Sequence, residues 1–161
     1  MAKKQQDHKT NAMRIVMAAN VPYDLHFFEC EGVPSGVEVA RLCGQDPDHV
    51  FKTLVTQGKS GEYYVFLVPV AEGLNLKKAA NAVGEKAIAM IKQRELLPLT
   101  GYVHGGCSPL GMKKQFVTCV DETALLFDSI IFSGGRVGCQ IEVSPDDLAR
   151  MLPVKYIDLC M

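Results

Sequence analysis

Val50-Phe-Lys-Thr-Leu-Val-Thr-Gln-Gly-Lys-Ser-Gly-Glu-Tyr-Tyr-Val-Phe-Leu-Val-Pro-Val70 is the stretch that decides the fold. Val50 to Thr56 is β-branched and apolar, which suits a pleated, half-buried surface. Gln57 to Glu62 is polar and contains Gly58 and Gly61, the composition of a hairpin connection. Tyr63 to Val70 is almost continuously apolar, so it reads as a central strand covered on both faces. Lys52 interrupts the first of these strands. A lysine there snorkels to the surface, guards a sheet edge, or faces a cavity that takes an anion. Spacing alone leaves these three open.

Upstream, Lys9 to Ala19 has helical periodicity, with Thr10 as its cap and Ala12, Ile15, Val16 and Ala19 on one face. Asn20-Val21-Pro22 stops it, and Tyr23 to Phe28 alternates as a strand. Ser35 followed by Glu38 makes a capping box for a helix from Gly36 to Cys43, closed by Gly44. Asp46-Pro47 opens a helical turn. Downstream, Asn75 caps a helix from Leu76 to Val83 and Gly84 ends it. Lys86 to Ile91 reads as a short strand, and Arg94 to Leu97 as a helical turn ended by Pro98. Phe116 to Val120 is a strand, and Asp121 caps a short helix. Ser129 to Phe132 and Cys139 to Val143 form a hairpin around Ser133-Gly-Gly-Arg-Val-Gly138. Ser144-Pro145 opens a last helix, followed by a strand from Val154 to Ile157. The pattern predicts a mixed α+β domain over residues 1–161, with about seven strands curved into an open barrel and short helices around it.

Composition narrows the function classes. The chain has 161 residues, 48% hydrophobic and 22% charged, enough to bury a core. Its net charge of −1 supplies no global field for DNA or RNA, so a polyanion needs a local patch. The longest apolar run, Tyr63 to Ala71, is strand length and contains Pro69, so no membrane span is expected. The N-terminus is polar with no apolar signal core, and a cytoplasmic protein is expected. Cys30, Cys43, Cys107, Cys119, Cys139 and Cys160 include no C-x-x-C pair. Reduced thiols are expected, and no metal or other cofactor. His26, His49 and His104 lack metal-ligand spacing.

Two glycine loops stand out. Gly101-Tyr-Val-His-Gly-Gly-Cys-Ser-Pro-Leu-Gly-Met-Lys-Lys114 can turn amide N–H groups outward and hold an oxyanion or a phosphate. Its alternative is a plain tight turn. His104 and Cys107 invite a cysteine-nucleophile reading, but no third group is evident to orient them. The second loop, Ser133 to Gly138, is either a hairpin turn with an exposed arginine or a wall facing a ligand. Lys77-Lys78 in a helical first turn hints weakly at an external anion.

These motifs, taken together, resemble the YbaK/EbsC family of aminoacyl-tRNA deacylases, related to the editing domain of bacterial prolyl-tRNA synthetases. The likeness runs from Lys9-Thr-Asn-Ala-Met13 through Val50-Phe-Lys-Thr-Leu-Val55, Leu76-Lys-Lys-Ala-Ala80, Thr100-Gly-Tyr and Gly105-Gly-Cys-Ser-Pro-Leu-Gly-Met-Lys-Lys114. It continues to Ser133-Gly-Gly-Arg-Val-Gly138 and Gln140-Ile-Glu142. The resemblance implies removal of cysteine from mischarged Cys-tRNA(Pro), and potentially from Cys-tRNA(Cys), beside prolyl-tRNA synthetase. The alternatives are another small amino acid, alanine or serine, or a non-catalytic tRNA- or synthetase-binding module. In the cysteine-specific branch the substrate thiol attacks its own ester, so neither a protein nucleophile nor a metal is implied. Lys52 matches the essential lysine, and Gly105 and Gly106 match glycines expected to donate backbone N–H. Phe28, Thr53, Ser133, Gly134 and Gln140 fall at substrate-binding positions. Phe28 stands where an aromatic, often tyrosine, is found, and Gln140 where some members carry aspartate. Lys77, Lys78, Lys113, Lys114 and Arg136 are expected to form a basic rim for the tRNA acceptor end, with salt-sensitive binding.

Overall fold

A computed structural model describes residues 9–161. The expected helix at the N-terminus is α1 (Asn11–Ala18), capped by the Thr10 hydroxyl, which accepts from the Met13 amide at 3.1 Å. The chain continues through β1 (Asp24–Phe27), α2 (Gly36–Leu42), β2 (Phe51–Gly58) and β3 (Tyr63–Pro69). Next come α3 (Leu76–Val83), β4 (Ile88–Met90), α4 (Gln93–Thr100), β5 (Val117–Asp121), β6 (Ile130–Ser133), β7 (Cys139–Val143), α5 (Pro145–Met151) and β8 (Val154–Ile157). Local chemistry starts most of the helices. Ser35 makes the capping box of α2, while Asn75 and Ser144 cap α3 and α5. Pro98 does not end its helix as expected but lies inside α4. It gives up one intrahelical donor. The turn beyond it still closes, through the Thr100 hydroxyl on the Leu96 carbonyl at 2.8 Å and the Gly101 amide on Leu97 at 2.9 Å.

The eight strands do not curve into one barrel sheet. They divide into a five-stranded sheet, order β4-β2-β3-β5-β8, and a three-stranded sheet, order β1-β7-β6. β2 and β3 form the expected antiparallel hairpin, with Lys52 opposite Val68. β3 pairs parallel with β5, and β5 with β8. A parallel bridge between Val50 and Ile131 joins the sheets. β4 covers β2 only from Thr56 to Gly58. Between that cover and the bridge, Lys52, Thr53 and Leu54 have no strand on their outer side, and all three are half-buried. The division of the sheets therefore opens a gap beside Lys52.

Packing holds the gap in place from both sides. Val65, Leu67, Phe132, Ile141 and Leu148 are fully buried in one large apolar cluster. On β7, Glu142 accepts from His26 Nε2 of β1 at 2.7 Å and from the Ser129 hydroxyl. His49, just before β2, stands 3.8 Å from its other oxygen. Burial raises the Glu142 carboxyl, but hydrogen bonds from Ser129 and His26 outweigh it and hold the group below its ordinary value.

The Thr10 hydroxyl also donates to the Gly134 carbonyl. One side chain thus starts α1 and clasps the loop between β6 and β7. Tyr102 folds the longer glycine loop, donating to the Leu110 carbonyl at 2.6 Å. Thr10→Val keeps the shape of the side chain and removes both hydrogen bonds. It is expected to destabilise the protein by about 2 kcal/mol, from the lost cap and the unpaired carbonyl. Urea unfolding should show this as a lower midpoint with an unchanged slope.

Candidate active site

The gap beside Lys52 is the mouth of a cavity of ≈ 250 Å³. Phe51, Lys52, Thr53 and Leu54 of β2 form one wall. Ser35, Gly36 and Val39 of α2 form a second, and His104, Gly105 and Cys107 of the long glycine loop a third. Phe28, Phe132, Ser133, Arg136, Cys139 and Gln140 complete it. The most buried lining residues are Phe132 at 0% exposure, Phe51 and Cys139 at 2%, Val50 at 3% and Gln140 at 4%. His104 and Gly105 stand exposed at the outer end.

The charges are one-sided. Lys52 and Arg136 line the cavity, and among the described residues no aspartate or glutamate does. Among the described residues no carboxylate reaches Lys52 within ion-pair distance. Of the readings the sequence left open, a lysine facing a cavity fits this arrangement. The Arg136 guanidinium lies 5.8 Å above the Phe27 ring, which orients it toward the cavity rim. The Thr53 hydroxyl beside Lys52 is buried and has no hydrogen-bond partner among the described residues. Such a group is ready to pair with a bound molecule.

The glycines divide into two kinds. Gly105 is exposed, has φ +84, and its amide makes no hydrogen bond among the described residues. Gly106 is buried, and its amide donates to the Val103 carbonyl at 2.9 Å. Of the two amides expected to donate, the one at Gly106 is therefore already taken and the one at Gly105 is not. Gly106 is glycine for another reason: a Cβ there would lie 2.8 Å from Arg136 Cα. Gly134 is similar, with its amide on the Cys139 carbonyl at 2.8 Å and no room for a Cβ beside Cys139 Sγ. Ser133 keeps its proton to offer, because its oxygen accepts from the Gly135 amide at 3.1 Å.

Of the expected basic rim, Arg136 joins Lys52 at the cavity. Lys77, Lys78, Lys113 and Lys114 do not line it. Lys78 is bonded to Asp158 at 2.7 Å and to the Cys160 carbonyl at 2.8 Å. Lys77 is exposed in the same helical turn. Lys113 leans on the Pro98 carbonyl at 3.4 Å, and Lys114 lies 5.9 Å over the Phe116 ring. Three contributors went unmarked in the sequence: the start of α2, Leu96 of α4, and His104 as part of the cavity lining. The capping box at Ser35 predicted where α2 begins, and nothing local indicated what it would cover.

Residues 30–151 match the aminoacyl-tRNA editing domain family. A protein of Enterococcus faecalis assigned as Cys-tRNA(Pro)/Cys-tRNA(Cys) deacylase EbsC is 41% identical over 160 residues, which are 99% of this chain and 98% of the relative. A proline–tRNA ligase of Pelobacter propionicus is 31% identical over 84 residues, 52% of this chain and 15% of the ligase. Two solved structures share the fold at 23% identity. The hypothetical protein APE2540 gives a TM-score of 0.86, covering 94% of this chain and 100% of its own. A structure described as a trans-editing enzyme for prolyl tRNA synthetase gives 0.81, covering 96% and 99%.

Cys107 is 8% exposed, and burial pushes its thiol up to about 12, against the ionisation a nucleophile needs. Alkylation of the native protein near pH 8, mapped by mass spectrometry, should label exposed Cys30 and leave Cys107 at least about a hundredfold slower. Equal rates would restore the nucleophile reading.

Proposed function

The chain belongs to the aminoacyl-tRNA editing domain family and is an aminoacyl-tRNA deacylase, and we propose that it works in trans to remove cysteine from mischarged Cys-tRNA(Pro). The observation that carries this reading is the cavity whose charged lining residues, among those described, are Lys52 and Arg136, and whose two thiols, Cys107 and Cys139, are buried and held protonated. Such a site receives an ester and its neighbouring phosphate, and supplies no nucleophile of its own. The 41% identity to a relative assigned to Cys-tRNA(Pro) and Cys-tRNA(Cys) supports the choice of substrate.

In this reading the cysteinyl ester enters at Lys52. The substrate thiol attacks its own carbonyl carbon. An S–C bond forms, the C–O bond to the ribose breaks, and the thiol proton ends on the ribose hydroxyl. Negative charge gathers on the carbonyl oxygen, where the Gly105 amide and the Lys52 ammonium stabilise it. Preorganised donors and cations in a water-poor cavity are worth most at that point. Thr53, Ser133, Phe28 and Gln140 hold the aminoacyl group so that sulfur and carbonyl meet, which is catalysis by orientation. Gly106 and Gly134 act by letting the two loops close on one another. Arg136 and His104 face the terminal nucleotide. Lys77, Lys78, Lys113 and Lys114 contribute at most outer, salt-sensitive contacts to the acceptor stem. Prolyl-tRNA synthetase is the partner that supplies choice of tRNA.

Phe28 favours a second reading. It brings to the cavity lining a ring without a hydroxyl, which gives up the hydrogen bond a tyrosine would offer. A pocket of that kind separates small side chains weakly, so alanine or serine is the alternative cargo.

Lys52→Ala should keep the native circular dichroism spectrum and lose at least about a hundredfold in kcat/KM for Cys-tRNA(Pro). Turnover like the wild type would remove Lys52 from the reaction. Alkylating the sulfur of the tRNA-bound cysteine should abolish its release. Unchanged hydrolysis would mean that an activated water, not the thiol, opens the ester.

A further inference from the structure

We propose that Gln45, outside every motif noted above, sets the depth of the aminoacyl pocket by locking Gln140 into an amide pair that closes the pocket's inner end. Gln45 Nε2 donates to Gln140 Oε1 at 2.7 Å, and Gln140 Nε2 donates back to Gln45 Oε1 at 3.1 Å. Two antiparallel bonds fix both amide planes. Gln140 is 4% exposed, so the wall is a buried polar group that needs this partner.

The chain holds Gln45 firmly. Gly44 takes the left-handed conformation at φ +68 and ends α2. The Gln45 amide then donates back to Ala40 at 2.8 Å, and the Gly44 amide to Arg41 at 3.2 Å. This is a Schellman closure. At the other end of α2, a Cβ on Gly36 would stand 2.4 Å from Val70 Cγ1, so the helix start is seated against the residue that follows β3. α2 thus lies across the cavity, and its C-terminal cap is bolted to β7.

The pair is a partition. Gln140 lines the cavity beside Lys52, whereas Gln45 lines a separate hollow of ≈ 470 Å³ with His26, His49 and Glu142. Phe28 lines both. The bonded amides thus join a lining residue of one space to a lining residue of the other. An ester at Lys52 directs its side chain inward to this wall, so the length of side chain admitted depends on it. Gln45 is a positioning residue: it acts through Gln140 and does not touch the ester.

The inference rests on the deacylase reading. Its test uses the full-length protein and tRNA carrying alanine, cysteine or methionine, a series of rising side-chain length. Gln45→Ala should raise kcat/KM for the methionyl ester relative to the cysteinyl ester at least about tenfold, chiefly through KM. Gln45→Glu adds a readout that loss of structure would not produce. Its ionised carboxyl would repel Gln140 Oε1, whereas its protonated form regains the second bond. Discrimination should therefore return toward the wild-type value as pH falls from about 8 to about 5, a trend absent from the wild type. If Gln45→Ala does not fold, Gln45→Glu decides. An unchanged ratio in folded Gln45→Ala, or a ratio independent of pH in Gln45→Glu, overturns the partition. A wild type that cleaves none of the three esters overturns the deacylase reading and the inference with it.

Discussion

The contact on which the site depends is between two pieces of backbone. Gly106 lies so close to Arg136 that a methyl group would sit 2.8 Å from its Cα and 3.1 Å from its carbonyl carbon. The loop after α4 and the loop between β6 and β7 can therefore meet without side chains between them. That approach sets Gly105 at the mouth with its amide unengaged and brings Arg136 to the same rim as Lys52. Gly135, with φ +103, fits the same contact from the other side, against Thr10 and Tyr102. Remove the close approach and the donor and the cation drift apart, although each residue remains.

The second constraint is an incomplete strand. β2 is paired along its length with β3, but its other edge is covered only at the two ends. The uncovered middle holds Lys52 and Thr53. A lysine in so apolar a strand would be costly in a closed sheet, because its charge would have nowhere to go. Here the edge opens into a cavity with no acid among its described lining residues, so the ammonium has space beside it that a closed sheet would deny. Strand pairing thus serves both as scaffold and, where it stops, as the site itself.

Local features were legible in the sequence. Ser35 with Glu38, Asn75, Ser144 and Asp121 begin their elements where residue chemistry placed them, because a cap needs only its nearest neighbours. The hairpin from Phe51 to Pro69 was equally plain. Pairing between distant segments was not. Nothing near β1, β6 or β7 said that they would leave the larger sheet, and the gap beside Lys52 follows from that separation. Glycine also hides its purpose. Gly105 and Gly106 are adjacent and identical, yet one faces the cavity and the other faces backbone. Gln45 and Gln140 are 95 residues apart, and neither has a motif that announces the other. The paired lysines of α3 were plausible by charge, but Asp158, just after β8, holds Lys78.

The Thr10 clasp has a consequence in time. It ties the start of α1 to Gly134 across 124 residues of sequence. During synthesis the first partner emerges early and waits for the second until most of the chain is out. β6, β7 and the loop that carries Arg136 arrive with that second partner. Contacts of such long range form late, after the local helices and the β2–β3 hairpin. The cavity is therefore complete only once that last stretch has emerged, and a nascent chain that already holds Lys52 does not yet hold the walls around it.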